Sequence, residues 1–300
     1  MDAPPREFHG RISEECNWRE IVAWVGDLPP IPQVAAQVLQ IIEDPESTAE
    51  RLTSALSKDA ALAARVLKIA NSAMFSRQRD ITTLNQAVMV IGFKALKGII
   101  VAATLRQINK RFGTAEKQVW ENSIATAFAA TLIAKKLQKP FVEEIFLLGL
   151  LHSLGQIVLL AQEDTYQRFQ KVILTIKEQG GTYVKAEESV LGFSHPLIGA
   201  LVAKKWNFSP EICQVILHYT DNFTASTASN SIEEKIAIVS LADSIVHDAG
   251  IGSPQGYGEQ QSNIKRCLAF LQFSGNSEDF IRKIREDTLE QFEDGGMFLG

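Results

Sequence analysis

Cysteine is scarce in this 300-residue chain, and the three that occur, Cys16, Cys213 and Cys267, are scattered and odd in number. They lack the spacing of a cysteine-bound metal site, which is typical of a protein from a reducing compartment. Basic residues are not in excess, because 30 Lys and Arg accompany 35 Asp and Glu, for a net charge of −5. That balance disfavours non-specific binding to nucleic acid, so we expect no nucleic-acid partner.

The sequence also lacks a targeting segment and a convincing membrane span. Its N-terminus, MDAPPREFHG, does not have the charged-then-apolar pattern of a signal peptide. The most apolar window, 145–161, is interrupted by His152, Ser153 and Gln156, and it is too short and too polar to cross a bilayer comfortably. We therefore expect a cytoplasmic protein with no membrane partner.

No internal repeat of fixed period is present, and no β-type alternation competes with the helical pattern of the first half. Apolar residues recur at spacings of three and four along the chain, which predicts an all-α fold. Ser47 with Glu50, and Thr83 with Gln86, have the spacing of capping boxes, and Asp59 is placed to cap a third helix. These signals predict short helices joined by tight turns in the first half of the chain.

One stretch, Glu143–Ala161, predicts a single long helix that is apolar around most of its circumference. The pair His152-Ser153 lies in its middle. A buried histidine is costly unless its ring nitrogens find partners, so the simplest interpretation is a core histidine bonded to a neighbouring backbone carbonyl.

Other polar residues interrupt apolar helix faces, namely Asn122, His195, His218 and Asp243. Each has a simple structural interpretation when taken alone. Asn122 would be a surface residue, His195 a helix cap, His218 a partly exposed helix end and Asp243 a residue of a polar face. Their occurrence on successive helices, however, favours a shared site.

Several stretches between Leu28 and about Gly250 resemble an HDOD domain, the output-type relative of the HD metal-dependent phosphohydrolases. They are LPPIPQVAAQVLQII, SKDAALAARVLKIANSAMF, ITTLNQAVMVIGFKALKGIIVA, VWENSIATAFAATLIAKKL, EEIFLLGLLHSLGQIVL, GFSHPLIGALVAKKWNFSPEICQVILHY and IVSLADSIV. The resemblance implies two packed helical subdomains. We expect a leader over residues 1–25, an N-terminal helical bundle over 26–112, an HD-like helical domain over 113–250 and a C-terminal helical tail over 251–300.

HD hydrolases bind one or two divalent ions through a histidine, an adjacent His-Asp pair and a later aspartate, and a bridging carboxylate holds two ions about 4 Å apart. The resemblance places these positions at Asn122, His152-Ser153 and Asp243. Asn122 and Ser153 have therefore lost the ligand type, because a neutral amide and a hydroxyl replace an imidazole and a carboxylate. His152 and Asp243 alone would hold a metal weakly. His195 and His218 match later histidine positions of some two-metal relatives and are candidates for a ligand pocket.

The resemblance thus implies a non-catalytic output or adaptor module of bacterial signal transduction that acts through signalling proteins and needs no cofactor. Partner contacts are expected at the joint Asn71–Arg79, where Met74, Phe75 and Arg77 would be exposed unless Phe75 packs inward. The alternative is a phosphodiesterase-like phosphohydrolase with a rebuilt site for Fe, Mn, Zn or Mg.

A third interpretation, DNA binding, uses the helix–Gly–helix pattern of Leu84–Arg106 with Lys94, Lys97 and Arg106. The acidic net charge disfavours it, and helix pairs joined at a glycine are also common in plain bundles.

Overall fold

A computed structural model describes residues 18–28, 36–38, 40–41, 44, 46–71, 81–92, 96, 100, 113–223, 227–258 and 260–295. The described helices are α1 Trp18–Asp27, α2 Ala49–Leu56, α3 Ala60–Ala70, α4 Leu84–Ile91, α5 Thr114–Lys136, α6 Val142–Leu151, α7 Leu154–Ala161, α8 Glu163–Gln179, α9 Tyr183–Leu191, α10 His195–Lys205, α11 Pro210–His218, α12 Ser231–Asp248, α13 Gln261–Phe270 and α14 Ser277–Gly295. No strand is formed within these ranges, and an isolated β-bridge joins Gly181 and Tyr257. The all-α prediction is confirmed.

The helix starts follow local side-chain chemistry. Thr83 and Gln86 form the predicted capping box at the start of α4. Asp59 accepts a hydrogen bond from the backbone of Leu62 near the start of α3. At α2 the N-cap is Thr48 rather than Ser47, because the Thr48 hydroxyl accepts from the backbone of Arg51.

The predicted single helix over Glu143–Ala161 is wrong in one respect, because it is broken into α6 and α7 at His152-Ser153. The His152 ring approaches the Gly149 carbonyl through Nδ1 at 2.6 Å. In a continuous helix that carbonyl would accept from the backbone N–H of Ser153, so the side chain competes with the helix ladder. The stretch Val142–Ala161 is long and apolar enough to cross a membrane by composition, but 89% of it is buried inside this fold.

Helix α5 lies at the centre and packs against α6, α12 and α14. Two glycines allow the neighbouring helices to approach closely. A Cβ on Gly149 would lie 2.8 Å from the Ala127 backbone of α5, and one on Gly155 would lie 2.0 Å from the His195 carbonyl oxygen of α10. These contacts set the positions of His152 and His195 relative to α5.

Both ends of the described chain pack on this helical domain. Helix α1 lies against α10, where the Lys205 ammonium donates to the Val25 and Gly26 carbonyls at 3.0 and 2.7 Å. Helix α13 packs on α12, and α14 packs on α5 with Ile284 fully buried. The predicted C-terminal tail is therefore helical and contributes to the core.

Candidate functional site

Helices α5 and α12 and the α6–α7 junction bring together Asn122, His152, Asp243 and His247, which we term the Asp243 cluster. The Asn122 amide donates to Asp243 Oδ1 at 3.1 Å, and its Oδ1 lies 3.0 Å from His152 Nε2. Asp243 Oδ1 also lies 3.4 Å from His152 Nε2 and 3.2 Å from His247 Nε2. Three of the four predicted HD positions are thus in direct contact, joined by a histidine that the sequence analysis missed.

The proton positions in this cluster follow from the acceptors around His152. The Gly149 carbonyl can only accept, so His152 Nδ1 donates to it. Its Nε2 then faces two oxygens, on Asn122 and Asp243. Burial opposes ionisation of Asp243, but the facing His247 and His152 rings outweigh it, and the pKa of Asp243 lies well below its ordinary value.

Ser153 is separated from the Asp243 cluster. Its hydroxyl bonds the Ser123 hydroxyl, and Ser123 in turn donates to the Val119 carbonyl at 2.8 Å. Ser153 is 1% exposed and does not line the cavity described below. The position that would carry the bridging carboxylate in an HD hydrolase therefore belongs to a hydroxyl pair against α5.

His195 belongs to a second cluster, the Glu187 cluster, formed with Glu187, Tyr219 and Gln156. Glu187 Oε2 accepts from His195 Nδ1 at 2.6 Å and from the His195 backbone N–H at 2.7 Å. Gln156 donates to the other oxygen of Glu187 at 3.4 Å, and His195 Nε2 bonds the Tyr219 hydroxyl. Because Glu187 fixes the proton on Nδ1, the neutral ring accepts from Tyr219 through Nε2.

His218 does not join these residues. It points to a separate surface groove and its Nδ1 lies 2.8 Å from Asp221. The next residue in the chain, Tyr219, points to the cavity instead and packs edge-on against His152, with ring centroids 4.9 Å apart. Of the two predicted pocket histidines, the structure places His195 in the cavity wall and His218 outside it.

The two clusters line one cavity of about 600 Å³, a size that accommodates a small organic ligand. Among the wall residues that sequence reasoning missed are Tyr183, Lys185, Tyr219, His247, Tyr257 and Arg266, with Glu187 just behind the wall. One signal for them was available. The chain has only four tyrosines and five histidines, and three of each line this cavity.

The donor set does not fit the two-metal centre of HD hydrolases. Among the four HD positions only Asp243 is a carboxylate, and it already accepts a hydrogen bond from the Asn122 amide. In the part of the chain that the structure describes, no group of three or more His, Cys, Asp or Glu side chains is arranged to hold a metal ion. The predicted pair His152 and Asp243 is in contact, but as part of a hydrogen-bonded cluster.

Two other predicted surfaces lie outside the described residues. These are the partner joint with Met74, Phe75 and Arg77, and the basic residues Lys94, Lys97 and Arg106 of the DNA-binding interpretation. Only the first helix of that interpretation, α4, is described.

The fold is all-α, and its candidate site is a hydrogen-bonded cluster of Asn122, His152, Asp243 and His247 beside a cavity. The HDOD domain family matches residues 28–222, and the chain belongs to this family. An uncharacterized protein of Treponema pallidum is 23% identical over 194 residues, which are 64% of this chain and 37% of that protein. Bacillus subtilis YuxH, also uncharacterized, is 23% identical over 159 residues, or 46% of this chain and 39% of that protein. The chain thus spans well under half of these curated relatives.

Solved structures share the fold across nearly the whole chain. An HDOD domain protein of unknown function from Geobacter sulfurreducens superposes with a TM-score of 0.73 at 23% identity, covering 93% of this chain and 96% of that one. A Shewanella amazonensis protein called a "Putative phosphohydrolase" gives 0.69 at 23% identity, covering 93% and 98%. A Marinobacter aquaeolei protein called a "Putative signal transduction protein" gives 0.60 at 18% identity, covering 95% and 62%. At these identities the likeness concerns the fold.

Proposed function

We propose that this chain is a cytoplasmic, non-catalytic output or adaptor module of signal transduction that acts through protein partners. The observation that carries the proposal is the Asn122 amide, which joins His152 and Asp243 where an HD hydrolase would hold a metal ion. An amide that fills this space with hydrogen bonds leaves no open position for an attacking water on an ion.

Ser153, at the second replaced position, also supports a non-catalytic role. A bridging ligand must offer two anionic oxygens, whereas Ser153 offers one neutral hydroxyl that is already bonded to Ser123. The name of the Marinobacter relative agrees with a role in signalling.

A surface for partners is available on the N-terminal part of the chain. On α4 the side chains of Met89 and Val90 are 79% and 45% exposed. We infer that these two side chains contribute to a partner contact, because apolar patches on a surface mark protein contact sites.

A hydrolysis assay tests the non-catalytic part of the proposal. The full chain is incubated with p-nitrophenyl phosphate and bis(p-nitrophenyl) phosphate in the presence of Mn²⁺, Fe²⁺, Zn²⁺ or Mg²⁺. We expect the same background rate for the wild type, His152→Ala and Asp243→Ala. Turnover by the wild type that both substitutions abolish would contradict the proposal.

One observation favours the alternative of a metal-dependent phosphohydrolase. His247 adds an imidazole 3.2 Å from Asp243, which the HD positions alone do not supply. A single ion held by His152, Asp243 and His247 would require the Asn122 amide to turn away. Under this alternative, His247→Ala would abolish both metal binding and hydrolysis, whereas under the adaptor proposal it changes neither.

A further inference from the structure

Two cationic side chains lie at the exposed end of the cavity. Lys185 comes from α9 and Arg266 from α13, and both line the cavity while remaining exposed. Within the described residues, neither has a hydrogen bond or an ion pair to a carboxylate. Two cations on one rim attract an anion, because a bound anion would relieve their mutual repulsion.

Two helix N-termini open into the same cavity. The N-caps Thr182 of α9 and Gln260 of α13 both line it, and neither makes a side-chain capping bond. No acidic residue lies in the first turn of either helix. By contrast, α12 is capped by Asn230 and has Glu233 and Glu234 in its first turn.

The N-termini of α9 and α13 differ from that of α12 in a way that favours an anion, because the first N–H groups of a helix need acceptors and carry a partial positive charge. At α9 the hydroxyl of Tyr257 is a partner for the backbone of Tyr183. An anion at the mouth would supply the remaining acceptors for the two uncapped ends, as phosphates do at other helix N-termini.

The buried hydroxyl of Tyr183 indicates a ligand that extends from the mouth into the cavity. Tyr183 is 3% exposed and lines the cavity, yet its hydroxyl has no hydrogen-bond partner. Its ring is held between Phe169, with centroids 6.0 Å apart, and Tyr257, with centroids 5.4 Å apart. An unpartnered buried hydroxyl is unfavourable, so a ligand group that bonds it would be favoured.

Two carboxylates, Asp243 and Glu188, also line the cavity. Asp243 is held in the Asp243 cluster by the His152 and His247 rings that face it. Glu188 is half-buried and lies one turn after Lys185 on the same helix. The outer end therefore combines two cations and both helix N-termini with one carboxylate, Glu188.

We propose that this cavity binds a small organic molecule through a phosphate group, which lies at the mouth between Lys185, Arg266 and the first turns of α9 and α13. The organic part extends inward to the hydroxyl of Tyr183. The inference goes beyond the proposed adaptor function, because it concerns binding alone. Arg266 and α13 lie outside the segment, residues 28–222, that matches the HDOD family.

Calorimetric titration of the full chain tests the proposal. The probes are adenosine 5′-monophosphate, ribose 5-phosphate and inorganic phosphate, with adenosine as the control that lacks the phosphate. EDTA is present, so that binding is measured without any metal-dependent turnover. We expect the two phosphate esters to bind at least about tenfold more tightly than adenosine.

Matched variants separate the site from general surface charge. Lys185→Ala and Arg266→Ala should each weaken binding of the esters by about tenfold. The control is Lys265→Ala, which removes an exposed charge on α13 outside the cavity wall. It should change binding of the esters by less than about twofold. Tyr183→Phe should weaken the esters and leave inorganic phosphate unchanged.

Two results would overturn the proposal. The first is that neither ester binds more tightly than adenosine. The second is that Lys265→Ala weakens binding as much as Arg266→Ala. Neither result bears on the adaptor function, which the hydrolysis assay and the metal content test separately.

Discussion

The Glu187 cluster and the Asp243 cluster both pair a buried histidine with a carboxylate, but they differ in how closed they are. Glu187 is fully buried and accepts two bonds of 2.6 and 2.7 Å from His195. The Asp243 side chain is 14% exposed, and its Oδ1 lies 3.1 to 3.4 Å from nitrogen atoms of three neighbouring side chains.

The difference indicates two roles. A network of short hydrogen bonds around the fully buried Glu187 carboxylate holds the junction of α9, α10 and α11 in one arrangement. The Asp243 cluster is joined by the Asn122 amide, and we propose that this amide stands where an HD hydrolase would hold a metal ion. Four substitutions test this comparison, in order of decreasing expected effect.

Glu187→Ala should have the largest effect, because it leaves His195 and Gln156 without an acceptor in a closed site. We expect a loss of about 3–5 kcal/mol in the free energy of unfolding, because three buried donors lose their acceptor and each unsatisfied donor costs about 1–3 kcal/mol. Urea denaturation measures it. The control is Ser189→Ala, at an exposed position of the same helix. A loss below about 1 kcal/mol would show that the network is not structural.

Gly252→Ala probes the loop that closes over the Asp243 cluster. Gly252 has a φ of +67°, and a Cβ there would lie 2.4 Å from the Gln118 carbonyl oxygen and 2.5 Å from Asn122 Cβ. We expect a loss of about 3 kcal/mol from the clash and the backbone strain together.

Gly250→Ala is its matched control, because Gly250 has a similar φ of +79° but no atom within 4 Å of an added Cβ. Strain alone should cost about 1 kcal/mol there. Equal losses for the two variants would mean that the loop does not pack against α5 as described.

Asp243→Asn should destabilise less than Glu187→Ala, by about 1–2 kcal/mol near pH 7, because water reaches the cavity side of this cluster. The pKa of Asp243 is lowered in the folded state from an ordinary value of 3.8, so its contribution is present above that pH and is lost as pH falls through the folded pKa. The difference in unfolding free energy between wild type and variant should therefore shrink as the pH falls below about 4. If the difference in unfolding free energy grew as the pH falls, the interaction of Asp243 with its histidine neighbours would be contradicted. Urea denaturation at each pH measures it.

Ser153→Ala should have the smallest effect, at most about 1 kcal/mol. Its partner Ser123 still donates to the Val119 carbonyl when the Ser153 hydroxyl is removed. A double-mutant cycle with Ser123→Ala isolates the hydroxyl pair. A loss above about 3 kcal/mol would mean that Ser153 has a role beyond this pair.

Local signals in the sequence were sufficient for the helices. Helical periodicity gave the fold class, and Thr83 with Gln86 gave a capping box that the structure contains. The break at His152-Ser153 was not predictable from periodicity, because it depends on the His152 ring bonding the Gly149 carbonyl. Apolar spacing alone continues straight through it.

Predicting the site required knowing which face each helix turns inward. His247 lies one turn after Asp243 on α12, so helical spacing could have placed it in the cluster. Glu187 lies within the charged run KAEE of α9 and was indistinguishable there from a solvated residue. At the end of α11 the choice between His218 and Tyr219 depended on the orientation of the helix end, and the structure turns Tyr219 to the cavity.

The metal content of the full chain tests the central claim most directly, when the protein is purified without chelators or metal-affinity resin and analysed by mass spectrometry of the dissolved sample. The Asn122 amide between His152 and Asp243 predicts well below one ion of iron, manganese or zinc per chain. One or two ions per chain that are lost in His152→Ala would contradict it, and would show that His247 has rebuilt a metal centre.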